Sequence, residues 1–120
     1  MERLLQHRSA AKGWVTRVSN NIMKLLARQE PPVTVSELED AIEEFDKRLL
    51  KLEKAQEEVE LELEVEKLVE DIEAAAEFRE FHRTQRRLGA DKLKEMSSTE
   101  NWMVKGLILY HKENLSNRNW

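Results

Sequence analysis

The 120-residue sequence contains no cysteine, only 3 glycines and 2 prolines, and few aromatic residues. Without cysteine the chain can form no disulfide and has no thiolate for binding a metal or attacking a substrate. So few glycines and prolines disfavour a β-sheet protein, which needs frequent turns. They also disfavour a glycine-rich loop that binds phosphate. No apolar run approaches the roughly 18 residues of a membrane span, and the N-terminal residues lack the apolar core of a signal peptide. We therefore expect a cytoplasmic protein that does not enter a membrane.

Charged residues, by contrast, are abundant and unevenly distributed. They make up 37% of the chain against 40% hydrophobic residues, a balance typical of long amphipathic helices. The net charge is +4 over residues 1–30, −12 over residues 31–80 and +4 over residues 81–120. Segments of opposite charge attract when they pack side by side, although an exposed ion pair contributes only about 0–1 kcal/mol. The composition predicts an all-α fold with antiparallel helices.

Apolar residues recur at alternating steps of three and four, the spacing of a helix with one buried face. The first such segment predicts a helix over about residues 2–28, which ends before Pro31 and Pro32 because proline lacks an amide donor. Thr34 and Glu37 then have the spacing of a capping box that begins a second helix. We predict an antiparallel hairpin or coiled coil within residues 1–96. Its seam consists of Val15, Val18, Ile22, Leu25, Leu38, Ile42, Phe45, Leu49 and Leu52.

The second helix is predicted over about residues 35–87, but its apolar spacing changes phase midway. From Val59 to Glu66, apolar residues and glutamates alternate strictly, and helical spacing resumes from Leu61. A continuous helix would measure roughly 80 Å against roughly 40 Å for the first. Its distal half therefore either breaks near residues 59–65 and folds back as a third helix, or projects and buries an apolar stripe against another molecule. We favour projection, with Leu61, Val65, Leu68 and Ile72 as the interface.

The C-terminal part of the sequence predicts one or two shorter helices. Gly89 follows a basic run and is a candidate helix stop. Ser97 and Glu100 have capping-box spacing, which predicts a short amphipathic helix from residue 97 and a frayed tail from Asn114. Three apolar residues of this segment either cover the bundle or bind a partner helix: Trp102, Leu107 and Tyr110.

No constellation of residues predicts catalysis. The three histidines, His7, His82 and His111, are too far apart to indicate a metal site, and no serine lies in a Gly-x-Ser-x-Gly turn. The dense carboxylates between residues 53 and 80 are typical of a solvated acidic face. We therefore predict no catalytic residue, metal or cofactor, and no enzyme activity.

Basic residues of the first helix and of residues 82–87 are candidate contacts to nucleic acid. A net charge of −4 and the lack of interleaved aromatic residues disfavour this function, so we prefer pairing with the acidic helix. The candidate contacts are Arg8, Lys12, Arg17, Arg83, Arg86 and Arg87.

Three features together resemble a known family. The first is the run from Arg8 to Arg17, which contains a Lys-Gly-x-x-Thr-Arg element. The second is the heptad pattern from Leu38 to Glu57, and the third is the acidic stretch that ends at Arg79. Over about residues 3–81 the chain is similar to the N-terminal, gag-like helical region of invertebrate Bel/Pao retrotransposons and of host genes derived from them. The resemblance implies a structural role in a particle-forming or scaffold protein. The zinc knuckle and aspartic protease of full-length gag-pol polyproteins are absent from the sequence, and residues 90–120 match nothing in the family.

Our leading hypothesis is a non-enzymatic self-association module that forms a homo-oligomer through its distal helix. The alternative is a monomeric adaptor or regulator that binds another helical protein through residues 97–115. Nucleic-acid binding is the third and weakest hypothesis.

Overall fold

The computed structural model describes the backbone of residues 1–118 and the side chains of residues 1–97. Over this part the protein is all-α, with helix α1 at Glu2–Ala27, α2 at Val35–Glu62 and α3 at Val65–Arg118, and with no strand. None of the described helices is long and apolar enough to cross a membrane.

The connection between α1 and α2 follows the predicted chemistry. Thr34 is the N-cap of α2: its side chain accepts a hydrogen bond from the Glu37 amide at 3.1 Å, and the Glu37 carboxylate accepts from the Thr34 amide at 3.3 Å. Arg28 donates to the Glu37 carboxylate at 2.7 Å and to the Pro31 carbonyl at 2.7 Å. These bonds hold the end of α1 beside the start of α2, which makes the two helices an antiparallel hairpin.

The core lies where α1, α2 and α3 meet. The predicted seam residues are all buried except Leu25, which is half-buried and packs on the others, while Ala41 joins the cluster. Phe78, Ala90, Leu93 and Met96 of α3 pack against the same cluster. The seam therefore serves a three-helix core rather than a two-helix hairpin alone.

The chain breaks at Leu63 and Glu64, so the continuous second helix that we favoured is wrong and the broken alternative is observed. Strict alternation puts successive apolar side chains about 200° apart around a helix, so no single neighbour can cover them all. The break lets Val59 remain buried in α2 while α3 takes a new direction. The Glu64 carbonyl accepts hydrogen bonds from the Lys67 and Leu68 amides, both at 3.0 Å, and so begins α3.

Helix α3 returns along the hairpin, parallel to α1 and antiparallel to α2. Residues 71 and 82 contact residues 8 and 19 of α1, whereas residues 83 and 86 contact residues 53 and 46 of α2. The predicted stop at Gly89 and the separate helix from Ser97 are both wrong, because α3 continues through both positions. It is the longest helix, at 54 residues, instead of one of the shorter C-terminal helices that we expected.

Gly89 is used for close packing rather than for ending a helix. A Cβ atom at this position would lie 2.7 Å from Cγ2 of the buried Ile22. The missing side chain thus allows α3 to approach α1 closely. The side chains of Trp102, Leu107 and Tyr110 lie outside the described residues.

Candidate interaction surfaces

The basic side chains that we considered for nucleic acid are already engaged within the bundle. Arg86 makes a bidentate pair with Asp46 of α2, at 2.6 and 2.9 Å, and Arg83 contacts Glu53 at 3.1 Å. Arg87 lies 3.7 Å from Glu80. Lys12 lies over the Phe78 ring, and Arg17 over the Trp14 ring. The contacts of Arg83 and Arg86 match the pairing with the acidic helix that the charge distribution favoured, whereas Lys12 and Arg17 contact aromatic rings instead.

Arg8 belongs to a polar network that joins all three helices near the α2–α3 turn. It donates to both oxygens of Asp71 at 2.8 Å and to Gln56 at 3.1 Å, and Gln56 donates to Asp71 at 2.6 Å. Burial alone would raise the pKa of the Asp71 carboxyl, but the hydrogen bonds from Gln56 and Arg8 outweigh burial and lower it. The carboxylate therefore stays charged and fixes the position of α3 on the hairpin.

A second buried polar pair joins α1 to α3. Ser19 Oγ lies 2.6 Å from His82 Nδ1, and both residues are buried. Burial lowers the pKa of His82 and outweighs the opposing effect of the Gln85 side chain. Because Ser19 is fully buried, a substrate has no access to its hydroxyl. This pair is a structural contact within the core.

A basic groove runs along the surface between α1 and α2, and no described side chain of α3 lines it. Its volume is about 380 Å³, within the range of sites that bind ligands or side chains. Its floor is made of small apolar residues beside the ring of Trp14, which is 43% exposed. The groove is lined by His7, Ala10, Ala11, Trp14, Arg48, Lys51, Lys54, Ala55 and Glu58.

Cations dominate the rim of this basic groove. The Arg48 guanidinium stacks 4.0 Å from the centre of the Trp14 ring, with Arg17 at 5.0 Å on the same ring. Arg48 is held by Glu44 at 2.9 Å, whereas Lys51 and Lys54 have no ionic partner among the described side chains. The groove therefore combines an apolar floor with cations that are available to an acidic partner.

The second surface is an apolar patch at the α2–α3 turn, which we call the apex patch: Leu61, Val65, Val69 and Ile72. Leu61 is 85% and Val65 is 80% exposed, and the other two are also exposed. Leu68, which we had grouped with this stripe, is half-buried. Four large apolar side chains left in solvent within residues 61–72 are typical of an interaction site.

The apex patch is surrounded mainly by negative charge, with Lys67 as the one cation between Leu61 and Ile72 in the sequence. Residues 57–66 contain six glutamates and no lysine or arginine. None of these glutamates forms an ion pair with a described side chain. A partner for this patch must therefore offer apolar surface together with cations.

The sequence interpretation named three of the four apex residues, with Leu68 in place of Val69, and it missed the basic groove. The signal was present: His7, Ala11 and Trp14 follow helical spacing, as do Arg48, Lys51 and Ala55. We treated residues 31–80 as one segment with a net charge of −12, which hid the cations at Arg48, Lys51 and Lys54. Only the packing of α1 on α2 brings the two sets together.

The described residues include no cluster of three or more His, Cys, Asp or Glu side chains that could hold a metal ion. In comparisons with known proteins, no family model matches the chain, and neither a curated protein nor a solved structure shows significant similarity.

Proposed function

We propose that this protein is a structural self-association module whose copies bind one another through the apex patch. The single observation that supports this function most strongly is the exposure of Leu61 and Val65 next to the turn. Each such side chain gains about 1.5–3 kcal/mol when it is moved from water into an apolar contact. Burial against a second copy would remove this apolar surface from water, and the core of the bundle does not need it.

A scaffold role also fits the resemblance to gag-like helical regions, whose implied function is assembly. The adaptor alternative rests on residues 97–115, of which the structure describes the side chain of Ser97 alone. Nucleic-acid binding is less favoured, because Arg8, Arg83 and Arg86 are paired with carboxylates of the same chain.

Sedimentation equilibrium over a range of protein concentrations tests the proposal. We expect the unmodified protein to associate at tens of micromolar and Leu61→Ser/Val65→Ser to remain monomeric. The matched control is Leu50→Ser, since Leu50 is 54% exposed but lies outside the apex patch. A strictly monomeric unmodified protein, or equal loss of association in the control, would count against self-association through this patch.

A further inference from the structure

The apex patch and the basic groove have complementary properties. The apex patch presents apolar side chains among glutamates that form no ion pair with a described side chain. The groove presents an apolar floor rimmed by Lys51 and Lys54, and Glu58 is the carboxylate in its lining. Both surfaces belong to one chain: the groove opens between α1 and α2 as far as Glu58, and the apex patch begins one helical turn further along α2 at Leu61. One molecule therefore offers the two halves of an interface to its neighbours.

Charge argues against the simplest alternative, a symmetric dimer of two apex patches. Such a dimer would bring two sets of glutamates from residues 57–66 together, and like charges across an interface are unfavourable. Among the described residues, the basic groove joins apolar area to cations that have no ionic partner. Binding there would place the glutamates of one copy beside Lys51 and Lys54 of another.

We infer that the basic groove of one copy receives the apex patch of a second copy, so that the protein assembles head to tail. This inference rests on the proposed function and names the partner of the apex patch. Trp14 and the alanine floor contact Leu61 and Val65, while Lys51 and Lys54 pair with the flanking glutamates. A head-to-tail interface leaves one groove and one apex patch unused at the ends, so it extends into a ring or a filament.

Mixing two disabled variants tests this inference. The first is the apex variant Leu61→Ser/Val65→Ser, and the second is the groove variant Lys51→Glu/Lys54→Glu. Each should dissociate at least about tenfold more readily than the unmodified protein. An equimolar mixture should recover a one-to-one dimer, because one intact groove and one intact apex patch remain.

Two controls make the experiment decisive. Lys94→Glu makes the same kind of charge change on an exposed residue of α3 outside the groove, and it should leave association unchanged. Circular dichroism should give unchanged helicity for all variants, because the substituted side chains are exposed.

The outcomes separate the inference from the proposed function. If the groove variant associates like the unmodified protein while the apex variant does not, self-association stands and the head-to-tail inference is overturned. Failure of the mixture to form dimers also overturns the inference. If the unmodified protein is monomeric at tens of micromolar, both the inference and the proposed function are overturned.

Salt gives an independent measurement. A contact between glutamates and lysines should weaken as the salt concentration rises from about 0.05 M to about 0.5 M, because exposed charges are screened. A symmetric contact between two acidic apex patches should instead strengthen, since salt relieves the repulsion. Association that tightens with salt would overturn the head-to-tail inference.

Discussion

Replacing Gly89 by alanine should destabilise the protein, whereas the same replacement at Gly13 should stabilise it. Both glycines lie inside helices, where glycine costs about 1 kcal/mol relative to alanine. At Gly13 an added Cβ meets no atom within 4 Å, so the full gain of about 1 kcal/mol is expected.

At Gly89 the added Cβ would lie 2.7 Å from Ile22 Cγ2, closer than real contacts allow. Ile22 cannot simply move aside, because it is fully buried and its Cγ2 is fixed by the preferred rotamer of a β-branched residue in a helix. Overpacking of this kind costs about 1–3 kcal/mol. The gain in helix propensity offsets about 1 kcal/mol of this cost, so Gly89→Ala should lower the free energy of unfolding by about 0–2 kcal/mol. The free energies of unfolding of the two variants should then differ by about 1–3 kcal/mol.

Urea unfolding followed by circular dichroism measures this difference directly. In an Ile22→Ala background the clash is removed, and Gly89→Ala should then stabilise the protein relative to that background. If Gly89→Ala stabilised the unmodified protein as much as Gly13→Ala does, α3 would not approach α1 at Gly89 as closely as described, and the explanation of this glycine would be wrong.

Three further changes test other parts of the fold. Thr34→Ala removes the capping box and should lower the free energy of unfolding by about 1 kcal/mol in a urea titration, and a Thr34→Ser variant that lost as much would contradict a capping role. Asp71→Ala leaves Arg8 and Gln56 without their shared acceptor and should cost about 1–3 kcal/mol, while an effect below the error of the titration would argue against a structural network. Because burial lowers the pKa of His82, the folded state binds this proton less readily than the unfolded chain does, so stability should decrease as the pH falls below about 6.5. Comparison with His82→Gln isolates the contribution of His82 to the pH dependence of stability. If the free energy of unfolding of the two proteins had the same pH dependence, this contribution would be excluded.

The hairpin could be predicted from the sequence because its signals are local. Thr34 and Glu37 have a fixed spacing whose chemistry is complete within one turn, and the seam residues from Val15 to Leu52 follow the period of a helix. Burial of these residues needs only a neighbouring helix, whichever helix it is. The all-α fold follows from the same periodicity.

The course of the chain after Val59 was harder to predict, because it depends on competition between distant contacts. The alternating pattern of apolar residues and glutamates around Leu61 is compatible with a bent helix and with a break between two helices. Its outcome is decided by bonds such as Arg8 to Asp71, which join residues far apart in sequence. Gly89 misled the prediction for a similar reason. Glycine serves equally at a helix end and at a close helix crossing, and only the position of Ile22 distinguishes the two.

The ion pairs of the bundle explain why the glutamates without an ionic partner lie near the α2–α3 turn. In the first part of α2, Asp46 and Glu53 pair with arginines of α3, while Glu43 and Glu44 pair with cations of α2 itself. Residues 57–66 lack such partners, because the adjoining start of α3 contributes further glutamates and only Lys67 as a cation up to residue 78. Folding therefore neutralises one end of the acidic segment and leaves the other end charged beside exposed Leu61 and Val65. The core requires neither the unpaired glutamates nor the exposed apolar side chains. A groove with an apolar floor and a cationic rim on another copy would bury these side chains and pair these glutamates.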